Sequence, residues 1–181
     1  THLGHSFPTR RSSDLEVLRI VYNVTKAIDP TRPVIDTSGN FHVVTDIFDV
    51  HDYEQDTKKF ATSYESMKNG GDVFVTHPDR QKYEGQPYFV SEYGGIWWNP
   101  NQTDNNAWGY GNRPKSQEEF IKRYDGLTSC LLNNPNICAF CYTQLYDVEQ
   151  EVNGLYTYDR KEKFNPEVIK KINSQIAAIE K

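Results

Sequence analysis

No apolar run in this 181-residue chain approaches the length of a membrane span, so no membrane partner is expected. Positive charge is in short supply. Twenty Lys and Arg face 25 Asp and Glu, and the net charge of −5 argues against a nucleic-acid backbone as partner. Cysteine is scarce and odd in number, so Cys130, Cys138 and Cys141 do not make a disulfide framework. Cys138 and Cys141 have redox-motif spacing but sit in an apolar, strand-like run. Three apart on a strand they point to opposite faces, and all three cysteines read as buried small apolar residues. His42, His51 and His77 have no metal-ligand spacing with one another or with the carboxylates, so neither a catalytic metal nor a cofactor is expected. There is no internal repeat and no second domain. The length suffices for one domain but falls short of the roughly 250 residues of a full (β/α)8 barrel.

Aromatic residues are plentiful: 13% of the chain, with 12 Tyr and 3 Trp. Flat rings suit the apolar faces of pyranoses, and they equally suit an ordinary core. Leu18, Val21, Tyr22, Thr25 and Ile28 recur at helical spacing until Pro30 and Pro33. Val34-Ile35-Asp36 and residues 47–53 read as strands, and Asp56 to Lys68 as an amphipathic helix stopped by Gly70-Gly71. A loop over 94–114 carries Trp97, Trp98, Trp108 and Tyr110, and a loop of that length with exposed tryptophans points to function. Ser116-Gln117-Glu118-Glu119 is a capping box that opens a helix with Phe120, Tyr124, Leu127 and Leu131 inward. Ile137 to Leu145 is an apolar strand. Asn165-Pro166 starts a last helix whose buried side carries Ile169, Ile172 and Ile176. Strands and helices alternate, which predicts an α/β fold with a parallel sheet and right-handed crossovers.

The most informative stretch is Pro87 to Gly95. Tyr88, Phe89 and Val90 make a short buried-strand run that ends in a carboxylate, Glu92, before Gly94-Gly95. A barrel strand that delivers an acid to its C-terminal end places that acid in the active-site mouth. A carboxylate there suits attack on a sugar's anomeric carbon.

Five pieces in order resemble family 2 glycoside hydrolases, the β-galactosidases, β-glucuronidases, β-mannosidases and relatives. They are Ala27-Ile28-Asp29-Pro30-Thr31-Arg32-Pro33, Asp49-Val50-His51-Asp52-Tyr53, Ser91-Glu92-Tyr93-Gly94, Cys141-Tyr142-Thr143-Gln144-Leu145 and the run from Asp147 to Leu155. The resemblance covers residues 15–181 and implies the C-terminal half of a TIM-barrel catalytic domain, strands five to eight. It implies a retaining mechanism through a covalent glycosyl-enzyme, with Glu92 as nucleophile and Tyr53 as the phenol that orients it. His51, Asp52, Trp97, Trp98, Tyr142 and Gln144 are then expected around a carbohydrate substrate, with Asp147 at the same mouth. The family's acid/base is a Glu that follows an Asn at the end of the fourth strand, and no Asn-Glu pair occurs in this chain. The alternatives are a non-catalytic carbohydrate-binding barrel piece or a retaining glycosidase of another barrel family. Gly95 stands where β-galactosidases often carry a His, and Glu151-Val152-Asn153 stands where β-glucuronidases present Asn-x-Lys. A neutral β-glycoside is the expectation, with galactoside the commonest case in the family. An open fifth-strand edge would offer a route to self-association.

The first residues read as foreign. His5 to Leu15 resembles one reading frame of a sequencing-library adapter, so residues 1–14 are expected to be non-native and the true N-terminus missing. Localisation then stays open between periplasm, secretion and cytoplasm. Ser13-Asp14-Leu15-Glu16 matches a capping box, a match expected to be accidental. Asn23-Val24-Thr25 and Asn101-Gln102-Thr103 match the glycosylation triplet, which arises often by chance.

Overall fold

The computed structural model describes residues 7–101 and 105–181, with the side chains of 7–14 outside that description. Part of the adapter-like segment and most of the Asn101-Gln102-Thr103 triplet therefore lie outside the described residues. Helix α1, Phe7–Ile28, is followed by a folded loop, then β1 (Phe48–Asp52), α2 (Thr57–Lys68), β2 (Tyr88–Gly94), α3 (Gln117–Leu132), β3 (Ile137–Thr143), α4 (Pro166–Asn173) and a short 3-10 turn. The three strands form one parallel sheet in the order β1-β2-β3. Among the described residues, no helix is long and apolar enough to cross a membrane.

Local chemistry sets the helix starts. Asp56 caps α2 by accepting from the amides of Lys58 and Lys59 at 2.9 and 3.1 Å. Ser116 caps α3 by accepting from the Glu119 amide, while the Glu119 carboxylate accepts from the amide of Lys115 rather than that of Ser116. Asn165 caps α4, with Pro166 in its first turn. α1 runs straight through residues 13–16, so the Ser13–Glu16 box starts no helix.

The core lies between the sheet and the helices. Phe48 and Val50 of β1 and Tyr88, Val90 and Tyr93 of β2 face Phe60 and Tyr64 of α2 and Phe120, Tyr124 and Leu127 of α3. Alternation sends Asp49, His51 and Tyr53 to the opposite face. β2 departs from strict alternation. Val50 pairs with Val90, yet His51 pairs with Glu92, so one extra residue is inserted at Ser91-Glu92. This bulge puts two consecutive side chains, Ser91 and Glu92, on the face away from the helices.

Three expectations are corrected here. Val34-Ile35-Asp36 is not a strand, so the described sheet has three strands rather than four. The Val34 carbonyl accepts from the Asp46 amide, and the Asp36 carboxylate takes the amides of Val43 and Val44, folding the segment into a loop instead of along β1. Cys138 and Cys141 are exposed, because no strand covers the outer edge of β3 among the described residues, and Cys130 is half-buried. Ile176 is exposed because α4 ends at Asn173. The helical spacing over Leu18 to Ile28 does form α1, but its apolar residues are largely uncovered: Val21 and Ile28 are exposed, beside Val17, Ile20 and Val24.

Candidate active site

The C-terminal ends of β1 and β2 bring Tyr53 and Glu92 together. The Tyr53 phenol donates to Glu92 Oε2 in a short hydrogen bond. Burial and the neighbouring Glu92 carboxylate push the Tyr53 pKa well up, so the phenol stays protonated and remains a donor. On the other carboxylate oxygen, His51 Nε2 lies 3.5 Å from Glu92 Oε1 and 3.1 Å from the Ser38 hydroxyl. Gly39 makes room for the imidazole. A Cβ at that position would sit 2.0 Å from the His51 ring, and its φ of +61° is glycine's territory. The Glu92 side chain is about one-third exposed, open to a ligand on its remaining side.

An aromatic wall flanks the carboxylate. The Tyr110 ring stacks on Tyr53 at 3.6 Å with planes 4° apart, and Trp108 meets Tyr110 edge-on at 5.8 Å. Trp108 is 45% exposed. Two loops hold this wall. Ile96 pairs with Tyr110, and Trp108 pairs with Glu151 through exchanged backbone bonds to residues 150 and 152. Gln55 adds a clasp from the Tyr53 carbonyl to the Gly94 carbonyl.

The loops after β2 and β3 are pinned by a buried ion pair. Lys163 Nζ donates to Asp147 Oδ1 at 2.5 Å and to the Trp98 carbonyl at 2.6 Å, with both side chains almost fully enclosed. Asp147 also accepts from the Gly154 amide and from Asn99. Burial pulls the Lys163 pKa down from the usual lysine range, and Asp147 pulls it back up.

Not every expected site residue reaches the mouth. Asp52 points toward the helices, where its carboxylate accepts from the Tyr64 hydroxyl and the Glu54 amide, and burial raises its pKa. Trp98 is 8% exposed and belongs to the core, so it presents no free face to a sugar. Tyr142 packs edge-on against Tyr93 and Tyr124, and its hydroxyl accepts from the Ile96 amide; it supports the loops from below. Trp97 is half-buried with an unpartnered indole N–H, and Gln144 is half-buried with an unpartnered side-chain N–H. Asp147 serves the ion pair instead of the mouth. Ser38, Tyr110, Ser91 and Gln55 join the site without having been expected there. Tyr110 carried a signal in its tryptophan-rich loop; the others are polar residues of kinds found in any loop.

No protein-family model matches the chain, and no curated protein matches it. Solved structures do. A GH2 β-galacturonidase from Eisenbergiella tayi bound to glycerol superposes with a TM-score of 0.59 at 15% identity, over 91% of this chain and 31% of that one. The β-D-glucuronidase of Dictyoglomus thermophilum gives 0.57 at 19% identity, over 92% and 30%. The Bacteroides uniformis β-glucuronidase gives 0.56 at 21%, over 83% and 19%. This chain thus shares its fold with part of these glycoside hydrolases and spans about a third or less of their length.

Proposed function

We propose that the chain carries the nucleophile side of a retaining β-glycosidase site, on consecutive βα units of a (β/α)8 barrel. The observation that supports this most is the Tyr53–Glu92 pair at adjacent strand ends. A donor phenol on one carboxylate oxygen holds the group in line while the rest of it stays open. A retaining enzyme uses such a carboxylate to form a glycosyl ester, with a second acid about 5 Å away to protonate the leaving oxygen. Among the described residues, the side chains within polar reach of Glu92 are Tyr53 and His51, neither of them a carboxylic acid. The probe of choice is therefore a 2-deoxy-2-fluoro β-glycosyl fluoride, whose leaving group needs no proton. The Glu92 carboxylate attacks the anomeric carbon, the C–F bond breaks and fluoride departs, leaving a stable ester. Intact mass spectrometry across galactosyl, glucosyl, mannosyl and glucuronyl probes reads the result. Labelling by none of them would leave a carbohydrate-binding role as the better reading.

Neutral sugars are the proposed substrates. Glu151 pairs with Trp108 at the edge of the aromatic wall, and its carboxylate accepts from the Asn153 amide group at 2.9 Å. A negative charge there repels a uronate. Neutral probes are expected to label faster than the glucuronyl probe.

The aromatic wall is proposed to stack on the sugar, with Trp108 as its exposed member and Trp97 behind it. Such contacts are worth roughly 1–3 kcal/mol, or about 5- to 150-fold in affinity. Trp108→Ala is expected to raise the probe concentration for half-maximal labelling by that factor at unchanged thermal stability. Unaltered concentration dependence in both Trp108→Ala and Trp97→Ala would remove the stacking role.

A further inference from the structure

Behind the nucleophile lies a buried chain of charged groups that the glycosidase reading does not use, and the inference drawn from it rests on that reading. Asp36 and His42 belong to the loop between α1 and β1, and Asp49 to β1. His42 Nδ1 lies 2.7 Å from Asp36 Oδ1, and His42 Nε2 lies 3.1 Å from Asp49 Oδ1. All three side chains are at most 5% exposed. The far oxygen of Asp36 takes the Val43 and Val44 amides at 2.7 and 3.0 Å. The far oxygen of Asp49 takes the Gly39 amide at 2.9 Å and a short hydrogen bond from the Ser91 hydroxyl. That same oxygen lies 4.0 Å from His51 Nε2, which is 3.5 Å from Glu92. A hydrogen bond ties Asp49 to Ser91, and His51 lies within 4.0 Å of both Asp49 and Glu92.

We propose that Asp36, His42 and Asp49 form a positioning device for the nucleophile, in which a buried histidine seats Asp49, and Asp49 holds Ser91 so that the bulge aims Glu92. Two enclosed carboxylates need a cation between them, and the charged imidazole supplies it. A neutral ring would accept from the Asp49 amide, 3.1 Å from Nε2; a charged ring donates from the same nitrogen to the Asp49 carbonyl at 3.0 Å and sets its charge 3.1 Å from Asp49 Oδ1, which has no hydrogen-bond partner of its own. The two carboxylates favour the charged form. Burial opposes the charge, but the hydrogen bonds to Asp36 and Asp49 outweigh it and raise the His42 pKa to about 9. The remaining charged groups around the recess beside His42 are Arg19 of α1 and Arg80, Lys82 and Glu84 of the loop before β2. Ser91 immediately precedes Glu92 in the bulge, so its bond to Asp49 is the mechanical link to the reactive group.

Two readouts test the device on the full chain. In the first, the ring nitrogens of ¹⁵N-labelled protein are followed by NMR against pH; His42 is expected to be doubly protonated at pH 7 and to titrate near 9. In the second, His42→Gln, Ser91→Ala and Ser91→Thr are trapped with the 2-fluoro glycosyl fluoride that labels wild type best. The first two variants are expected to lose about 10- to 100-fold in the maximal labelling rate with little change in half-saturating concentration. Ser91→Thr, which keeps the hydroxyl, is expected to recover most of the rate. Should His42→Gln fail to fold, the Ser91 pair and the titration decide. A His42 that is neutral at pH 7, or folded His42→Gln and Ser91→Ala proteins that label at the wild-type rate, would overturn the device alone. A wild type that no fluorosugar labels would overturn the glycosidase reading and this inference with it.

Discussion

Glu92→Gln is expected to abolish covalent trapping, with a loss of at least about 10⁴-fold in labelling rate. An amide cannot form the glycosyl ester. Its oxygen can still accept from the Tyr53 phenol, so the structure around it has little reason to change. The side chain is one-third exposed, and thermal stability should stay within about 0.5 kcal/mol of wild type. Tyr53→Phe makes a useful contrast. It removes the donor and keeps the nucleophile, so labelling should fall by about 10- to 100-fold and persist. Peptide mapping of the trapped wild type is expected to find the sugar on Glu92. Attachment to another carboxylate would refute the assignment.

Lys163→Met is expected to produce the largest loss of stability. It leaves the Asp147 carboxylate enclosed without its cation and strips the Trp98 carbonyl of its donor. Breaking one side of a buried pair costs about 3–5 kcal/mol, which for a chain of this size lowers the melting temperature by roughly 6–20 °C. The effect should spread beyond the pair, because Lys163 joins the loop carrying Trp98 to the loop carrying Val152. Trp108 exchanges backbone bonds with the second of these loops, so the aromatic wall should loosen as well. Pairing Lys163→Met with Asp147→Leu should restore part of the stability, since the orphaned charge is then gone. A fall of under about 1 kcal/mol in the single variant would show that water reaches the pair.

The strands and three of the helix starts were legible because each rests on local signals, whereas the Glu92–Tyr53 encounter was expected only from the resemblance. Apolar runs of strand length mark β1, β2 and β3, and capping side chains mark α2, α3 and α4. The missing fifth strand shows the limit of that reasoning. Val34-Ile35 has strand composition, but the Asp36 side chain bonds the amides of Val43 and Val44, a tertiary choice that propensity does not record. Orientation was harder still. Asp52 and His51 are adjacent, and which of them faces the mouth depends on which face of β1 meets α2. The bulge at Ser91-Glu92 breaks the alternation that would otherwise have assigned those side chains. Trp97 and Trp98 read alike in the sequence, yet Trp98 is buried in the core cluster and Trp97 is not. The chain from Asp36 to Asp49 is assembled from residues 6, 7 and 13 apart with no recognisable spacing, so nothing in the sequence joined its members.

The uncovered cysteines of β3 make the sheet edge chemically addressable. Cys138 and Cys141 sit four residues or fewer from the start of the strand, one toward each face by alternation, and solvent reaches both. Cys130 on α3 is half-buried, and burial pushes its thiol pKa up to about 11, which keeps it mostly protonated and slow to react. A thiol-directed reagent therefore meets two exposed sulfurs, of which Cys138 also has its pKa raised by burial, and one half-buried one in the same molecule. Any strand or partner that docked along β3 would shield the exposed pair and leave Cys130 as it was. The protein thus carries its own footprinting probe, with an internal reference, for whatever closes that edge.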